Sequence, residues 1–121
     1  MNRSRMLAVA GLAALATGVI GASSAGAATP PKLVASVSDP LNISLTLGGK
    51  KVSKLKAGTY TITVQDKASD HNFHLKGPGV NKTTSVSGKV TTTWTVTLKR
   101  GSYTYVCDPH ASFMKGSFTV A

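Results

Sequence analysis

Several residue types are scarce or missing in this sequence. Among 121 residues there are only four acidic side chains, all of them aspartate, seven aromatic residues and a single cysteine. A lone cysteine cannot form a disulfide within the chain, so no covalent cross-link holds the fold together. The scarcity of acidic residues leaves a formal net charge of +10, which favours anionic partners.

Helical spacing of apolar residues is absent after the N-terminal segment, which argues against an all-α fold. The lysines are dispersed through the chain, and no recognition-helix pattern accompanies them. We therefore expect no nucleic acid among the partners, despite the positive charge.

The N-terminus has the layout of a secretory signal peptide. Residues 1–5 are basic, residues 6–22 are apolar, and the small-residue motif Ala25-Gly26-Ala27 follows. The pattern predicts a Sec-type signal over residues 1–27 and a mature domain over residues 28–121, in the periplasm or outside the cell. Cleavage would remove two arginines and lower the net charge from +10 to +8. The alternative is a permanent anchor, but the apolar stretch is short for a bilayer, which needs ~20 residues. We expect no stable membrane insertion after cleavage.

The remaining chain is dominated by the period-two alternation of apolar and polar residues that is typical of half-buried β-strands. Glycine-containing turns separate most of these runs. The alternating runs cover residues 33–37, 41–47, 60–65 and 90–98, and shorter segments cover 102–106 and 116–120. The pattern predicts an all-β fold, a two-layer β-sandwich of seven to eight strands.

The single cysteine lies in an octapeptide that also contains a histidine and a methionine. Cys107, His110 and Met114 bring a thiol, an imidazole and a thioether into one short loop. With a second imidazole, this is the donor set of a trigonal copper site with a weak axial thioether. Taken singly, Cys107 could be an inert buried thiol and Met114 a packing residue. The spacing of three donors within eight residues favours copper.

Two upstream histidines could complete the set, and strand parity distinguishes them. His71 shares a face with Phe73 and Leu75, whereas His74 shares the opposite face with polar neighbours. A lone histidine on an apolar face is more often a satisfied core residue, but the donor loop gives this one a role. The pattern therefore predicts His71 as the upstream ligand.

These motifs resemble those of the cupredoxins, the small blue copper proteins. Cys107-Asp108-Pro109-His110 is similar to the Cys-x-Pro-His of plastocyanins and amicyanins. The three residues between His110 and Met114, followed by Lys-Gly, are similar to the azurin ending. The resemblance implies a Greek-key β-sandwich with one type 1 copper ion. Its strong ligands would be His71, Cys107 and His110, and its weak axial ligand Met114.

The resemblance also implies roles for neighbouring residues. In the family the asparagine after the first histidine links the two ligand loops, and Asn72 occupies that position. Asp70 stands where proline or asparagine is common, and Asp108 where serine or threonine is common. Both carboxylates would lie near the copper ligands and change the reduction potential.

The function implied by the resemblance is the transfer of single electrons between redox partner proteins, by a monomer that is not an enzyme. In the family, electrons pass through the exposed edge of the loop histidine, here His110. We expect an apolar docking patch around it, with lysines that steer partners carrying acidic docking surfaces. The expected patch consists of Pro109, Ala111, Phe113, Pro78 and Val80. The alternatives are a copper sequestration or delivery protein of the cell envelope, and an adhesion module that happens to contain a thiol.

Overall fold

The computed structural model describes residues 28–121, so the predicted signal peptide lies outside the described residues. Within this range the chain forms ten strands, of which eight have four or more residues. The strands are β1 (Lys32–Ser38), β2 (Asn42–Leu47), β3 (Lys50–Lys51), β4 (Lys54–Leu55), β5 (Gly58–Asp66), β6 (His74–Gly77), β7 (Val80–Thr83), β8 (Val90–Leu98), β9 (Gly101–Val106) and β10 (Lys115–Val120). The prediction of an all-β sandwich is confirmed, with the two-residue strands β3 and β4 added.

The strands form two sheets of five. One has the order β3-β2-β1-β5-β8 and the other the order β4-β10-β9-β6-β7. Most neighbours are antiparallel, but β1 pairs with β5 and β4 with β10 in parallel. Among residues 28–121 there is no helix with the length and apolar character needed to cross a membrane.

The core lies between the sheets and contains the inward residues of each alternating run. Two aromatic pairs line it on the side of the sheet that contains β9: Tyr103 of β9 stacks on Phe118 of β10 with ring centroids 5.2 Å apart, and Phe73, just before β6, stacks on Tyr105 of β9 at 5.4 Å. Such pairs contribute about 0.5–1.5 kcal/mol beyond the burial of their surface. The Tyr105 ring lies directly against Gly116, where any larger side chain would overlap it.

The strand directions give the sandwich two distinct ends. The connections β1–β2, β5–β6, β7–β8 and β9–β10 meet at one end, which we call the Cys107 end because this residue follows β9. The connections β2–β3, β4–β5, β6–β7 and β8–β9 meet at the opposite end. Both predicted ligand segments therefore converge at the Cys107 end.

Two local expectations from the alternating pattern need correction. The run 41–47 does not bury all of its leucines: Leu45 is buried, but Leu41 and Leu47 are exposed because they lie at the ends of β2, next to turns. The segment around His71 is also not a strand throughout, since β6 begins only at His74.

Candidate metal centre

The loop between β9 and β10 is closed by main-chain hydrogen bonds. The Cys107 N–H donates to the Met114 carbonyl at 3.0 Å, and the Met114 N–H donates to the His110 carbonyl at 2.9 Å. The His110 N–H donates back to the Cys107 carbonyl at 2.9 Å, within a short 3-10 helix over Asp108–His110. Pro109 suits this turn because its ring fixes φ near a helical value. The loop thus holds the positions of its three predicted donors.

Three donor atoms face one another at the Cys107 end. Nδ1 of His71 lies 3.1 Å from Nδ1 of His110, and Sγ of Cys107 lies 3.6 Å and 3.5 Å from these two nitrogens. A point equidistant from the three atoms lies about 2 Å from each, close to the length of a bond from histidine nitrogen or thiolate sulfur to a first-row metal ion. The triangle therefore fits a metal ion with trigonal equatorial donors.

The outer nitrogen of His71 is also fixed. Its Nε2–H donates to the Pro40 carbonyl at 2.9 Å. The Asp39 carboxylate lies 3.2 Å from the same nitrogen, and the Asp70 carboxylate lies 3.8 Å from it. A hydrogen bond at the outer nitrogen selects the tautomer with Nδ1 available for a metal and orients the ring.

Asn72 joins the two ligand segments, as the resemblance implies. Its Oδ1 accepts a hydrogen bond from the Asp108 N–H at 2.8 Å, and its Nδ2 donates to the Asp108 carboxylate at 2.8 Å. The same Nδ2 also donates to the Thr83 hydroxyl at 2.9 Å. Asn72 is buried although strand parity would point it outward, because these partners satisfy its amide.

His74 lies outside the donor triangle and pairs with Asp108 instead. Its Nδ1 is 2.9 Å from the Asp108 carboxylate, and its Nε2 is 2.6 Å from Oδ1 of Asn81. Partial burial alone would raise the pKa of Asp108. The hydrogen bonds from Asn72 and His74, and the charges of His74 and Lys76, outweigh this effect and lower the pKa below its usual value. The carboxylate beside Cys107 is therefore held in its ionised form.

Cys107 and Met114 are both completely buried in the core cluster, and His71 is 1% exposed. His110 is partly exposed and follows the exposed residue Pro109. The set therefore has one donor residue that reaches the protein surface, as the resemblance implies.

The sequence did not predict one neighbour of this centre, the β1–β2 connection, and it placed two other residues at the wrong end of the sandwich. Nothing in the periodicity of the chain indicates that the β1–β2 connection, with Asp39 and Pro40, lies against His71. Pro78 and Val80, expected in a patch around His110, lie instead at the opposite end. Pro78 contacts Gly101 there, and Val80 is buried at the start of β7.

The comparisons with known proteins agree with the geometry. Residues 49–121 match the family described as copper binding proteins, plastocyanin/azurin family. The chain belongs to this family, the cupredoxins, and its cofactor is copper.

Among solved structures, the chain is similar to rusticyanin. It is 26% identical to reduced rusticyanin solved at 1.9 Å, over 74% of this chain and 78% of that chain, with a TM-score of 0.56. It is also 26% identical to rusticyanin from Thiobacillus ferrooxidans solved at 1.27 Å, over 74% and 76% of the two chains, with a TM-score of 0.52. None of the curated proteins matches this chain at a significant level.

Proposed function

We propose that this protein is a type 1 copper protein that carries single electrons between redox partners and does not catalyse a reaction of its own. His71, Cys107 and His110 would be the strong ligands, and Met114 the weak axial ligand. The observation that carries the proposal is the triangle of two Nδ1 atoms and one Sγ with sides of 3.1, 3.5 and 3.6 Å. Copper supplies a one-electron couple when bound to this donor type.

The chain contributes to electron transfer by keeping its donors in place. Main-chain bonds close the loop from Cys107 to Met114, and Asn72 ties that loop to the segment of His71. A centre whose ligands cannot move much needs little rearrangement when its charge changes. Fast exchange with a partner follows from this rigidity.

The surface around His110 supports docking by apolar contact. Phe113, three residues later, is 74% exposed, and Leu41 from the β1–β2 connection is 48% exposed. Val86 and Val90 are exposed near the β7–β8 connection at the same end. Four of the five exposed large apolar side chains among the described residues thus lie at the Cys107 end. Exposed apolar groups gathered in this way favour an interaction site.

The charges near His110 give weaker support to an acidic partner than the sequence suggested. Of twelve basic residues in the described range, only Lys67, Lys89 and Lys115 lie at the Cys107 end, and all four aspartates lie there too. We still propose that the redox partner has an acidic docking surface. Its attraction would come from the net charge of the whole protein more than from lysines around His110.

Copper sequestration or delivery uses the same ligands, but burial favours an electron carrier. Cys107 and Met114 are fully buried, so an acceptor of copper cannot reach the sulfur donors without opening the loop. A delivery protein needs such access. We also propose that the N-terminal segment exports the protein and that the protein is a monomer. Neither statement is needed to prefer electron transfer over copper delivery.

The two functions are separated by cycling the copper-loaded protein between oxidation states in the presence of a copper(I) chelator. An electron carrier should recover its full colour on each reoxidation and keep its metal over many cycles. Transfer of the metal to the chelator within the first reduced interval would contradict electron transport and support delivery.

A further inference from the structure

The basic residues are sorted along the long axis of the sandwich. Six of the twelve described cations lie at the opposite end, where the described range has no aspartate. These six are Lys32, Lys50, Lys54, Lys56, Lys99 and Arg100. The Cys107 end carries three lysines against four aspartates, and the remaining three lysines lie on strands between the ends. The protein therefore has a strongly cationic pole remote from the donor triangle.

The cationic pole is free to meet a partner. All six side chains are exposed. Every ion pair among the described residues joins a histidine to an aspartate at the Cys107 end, so none of the six is neutralised in this way. Ala121 also lies at this pole, bonded to Ala57 and Leu55, and a terminal carboxylate there would offset only one of six charges.

The chain enters the fold at the same pole. β1 begins at Lys32, and the carbonyl of Pro31 accepts a hydrogen bond from Thr61 near the start of β5. The segment that precedes residue 28 therefore joins the domain beside these cations. That segment has the sequence pattern of one that directs a chain to a membrane.

We propose that the cationic pole is a docking surface for anionic phospholipid headgroups. Each lysine or arginine close to such a surface contributes about 1 kcal/mol to binding. The proposal commits to a lipid surface because the predicted signal segment, before it is cleaved, enters beside these cations and holds this pole next to the membrane. An acidic protein is the competing occupant of this pole, and the polyglutamate arm of the test below detects it.

This orientation leaves the donor triangle available. β5 runs from one end to the other through nine residues, which corresponds to about 30 Å. A protein held by its cationic pole would keep His110 and Phe113 facing away from the lipid, where a diffusing partner can reach them. The lipid-docking proposal does not depend on the assignment of the copper ligands, and its test has no redox readout. It can therefore fail while the proposed electron-transfer function stands, and the reverse.

The test measures sedimentation of the purified exported protein with vesicles. One set of vesicles mixes phosphatidylglycerol with phosphatidylcholine, and the control set is phosphatidylcholine alone. A pole variant carries Lys50→Gln, Lys54→Gln and Lys56→Gln. A matched control variant carries Lys67→Gln, Lys89→Gln and Lys115→Gln, which makes the same change in net charge at the Cys107 end. Circular dichroism verifies that both variants fold.

The wild type should bind the anionic vesicles, not the neutral ones, and should release them as salt rises. The pole variant should bind about 100-fold more weakly, whereas the control variant should stay within about threefold of the wild type. Equal losses in both variants would show that net charge alone matters and would overturn the proposal. Unchanged binding of the pole variant would overturn it as well. Binding to soluble polyglutamate without binding to anionic vesicles would assign the pole to an acidic polymer instead.

Discussion

Asn72 and Asp108 hold each other through two hydrogen bonds of 2.8 Å, one to the main chain and one to the carboxylate of Asp108. Asn72 directly follows one histidine of the donor triangle, and Asp108 directly follows its cysteine. The pair is therefore the link that sets the distance between two segments 36 residues apart in the chain. Asn72 is buried, so shortening its side chain removes both bonds on the inner side of the link, while the Asp108 carboxylate, which is 46% exposed, can still be hydrated.

Replacing Asn72 by alanine should lower the free energy of unfolding by about 2–3 kcal/mol, since the Asp108 N–H loses its buried acceptor. It should also weaken copper binding, because the two ligand segments are no longer tied. Urea denaturation of the metal-free and copper-loaded proteins measures both effects. Ser102→Ala, at an exposed position of β9 near the opposite end of the sandwich, is the control and should change stability by less than about 0.5 kcal/mol. A loss for Asn72→Ala no greater than that of the control would show that the link is unimportant.

The two histidines near β6 should respond differently to substitution. His71→Ala removes an atom of the donor triangle and should abolish the blue colour of the copper protein. His74→Ala should keep the colour and lose some stability, because Asp108 loses one hydrogen bond. Absorption spectra of the two variants with copper(II) decide the point. Colour that survives in His71→Ala and disappears in His74→Ala would reverse the assignment.

Alternation of apolar residues was enough to predict the sandwich, because each long strand buries one face only. His71 lies inside and His74, with a side chain 15% exposed, lies towards the surface, as predicted. However, His71 and Asn72 both precede β6, where the alternation of a strand does not apply, and Asn72 is buried rather than exposed. Hydrogen bonding to Asp108 decides its position, and a pattern of hydrophobicity carries no information about that bond.

The contacts between loops that connect different strands could not be predicted from the sequence either, for a related reason. Asp39 and Pro40 meet His71 only because β1 and β5 run parallel and end at the same end of the sandwich. Alternation in one strand says nothing about its neighbours. The separation of charges along the sandwich has the same origin, since the lysines look evenly dispersed in the sequence and are sorted only by the strand directions.

The Asp39 carboxylate should lower the reduction potential of the copper centre. It lies 3.2 Å from the outer nitrogen of His71, where negative charge makes the imidazole a better donor and favours copper(II). Asp39→Asn should raise the potential by an amount on the order of tens of millivolts, because the carboxylate is 68% exposed and screened. Asp70→Asn is the matched control and should raise it less, since its carboxylate is 3.8 Å from that nitrogen. Voltammetry that finds equal potentials in the wild type and Asp39→Asn would exclude this role.

Met114 should tune the potential without being needed to hold the metal. A long axial bond adds little to affinity but shifts the balance between copper(I) and copper(II). Met114→Leu should keep a blue protein and raise the potential, whereas Met114→Gln should lower it, because an oxygen donor prefers copper(II). If Met114 only fills the core, both variants should lose stability and keep the potential of the wild type. That result would remove Met114 from the proposed ligands.

The most direct test of the central claim is the absorption spectrum of the protein with one equivalent of copper(II). If Cys107, His71 and His110 bind the metal together, the wild type should show an intense charge-transfer band in the red, which arises from the thiolate. Cys107→Ser should lose the band while keeping the fold, as shown by circular dichroism. A wild-type protein that binds copper(II) and stays colourless, or a serine variant that stays blue, would contradict the assignment.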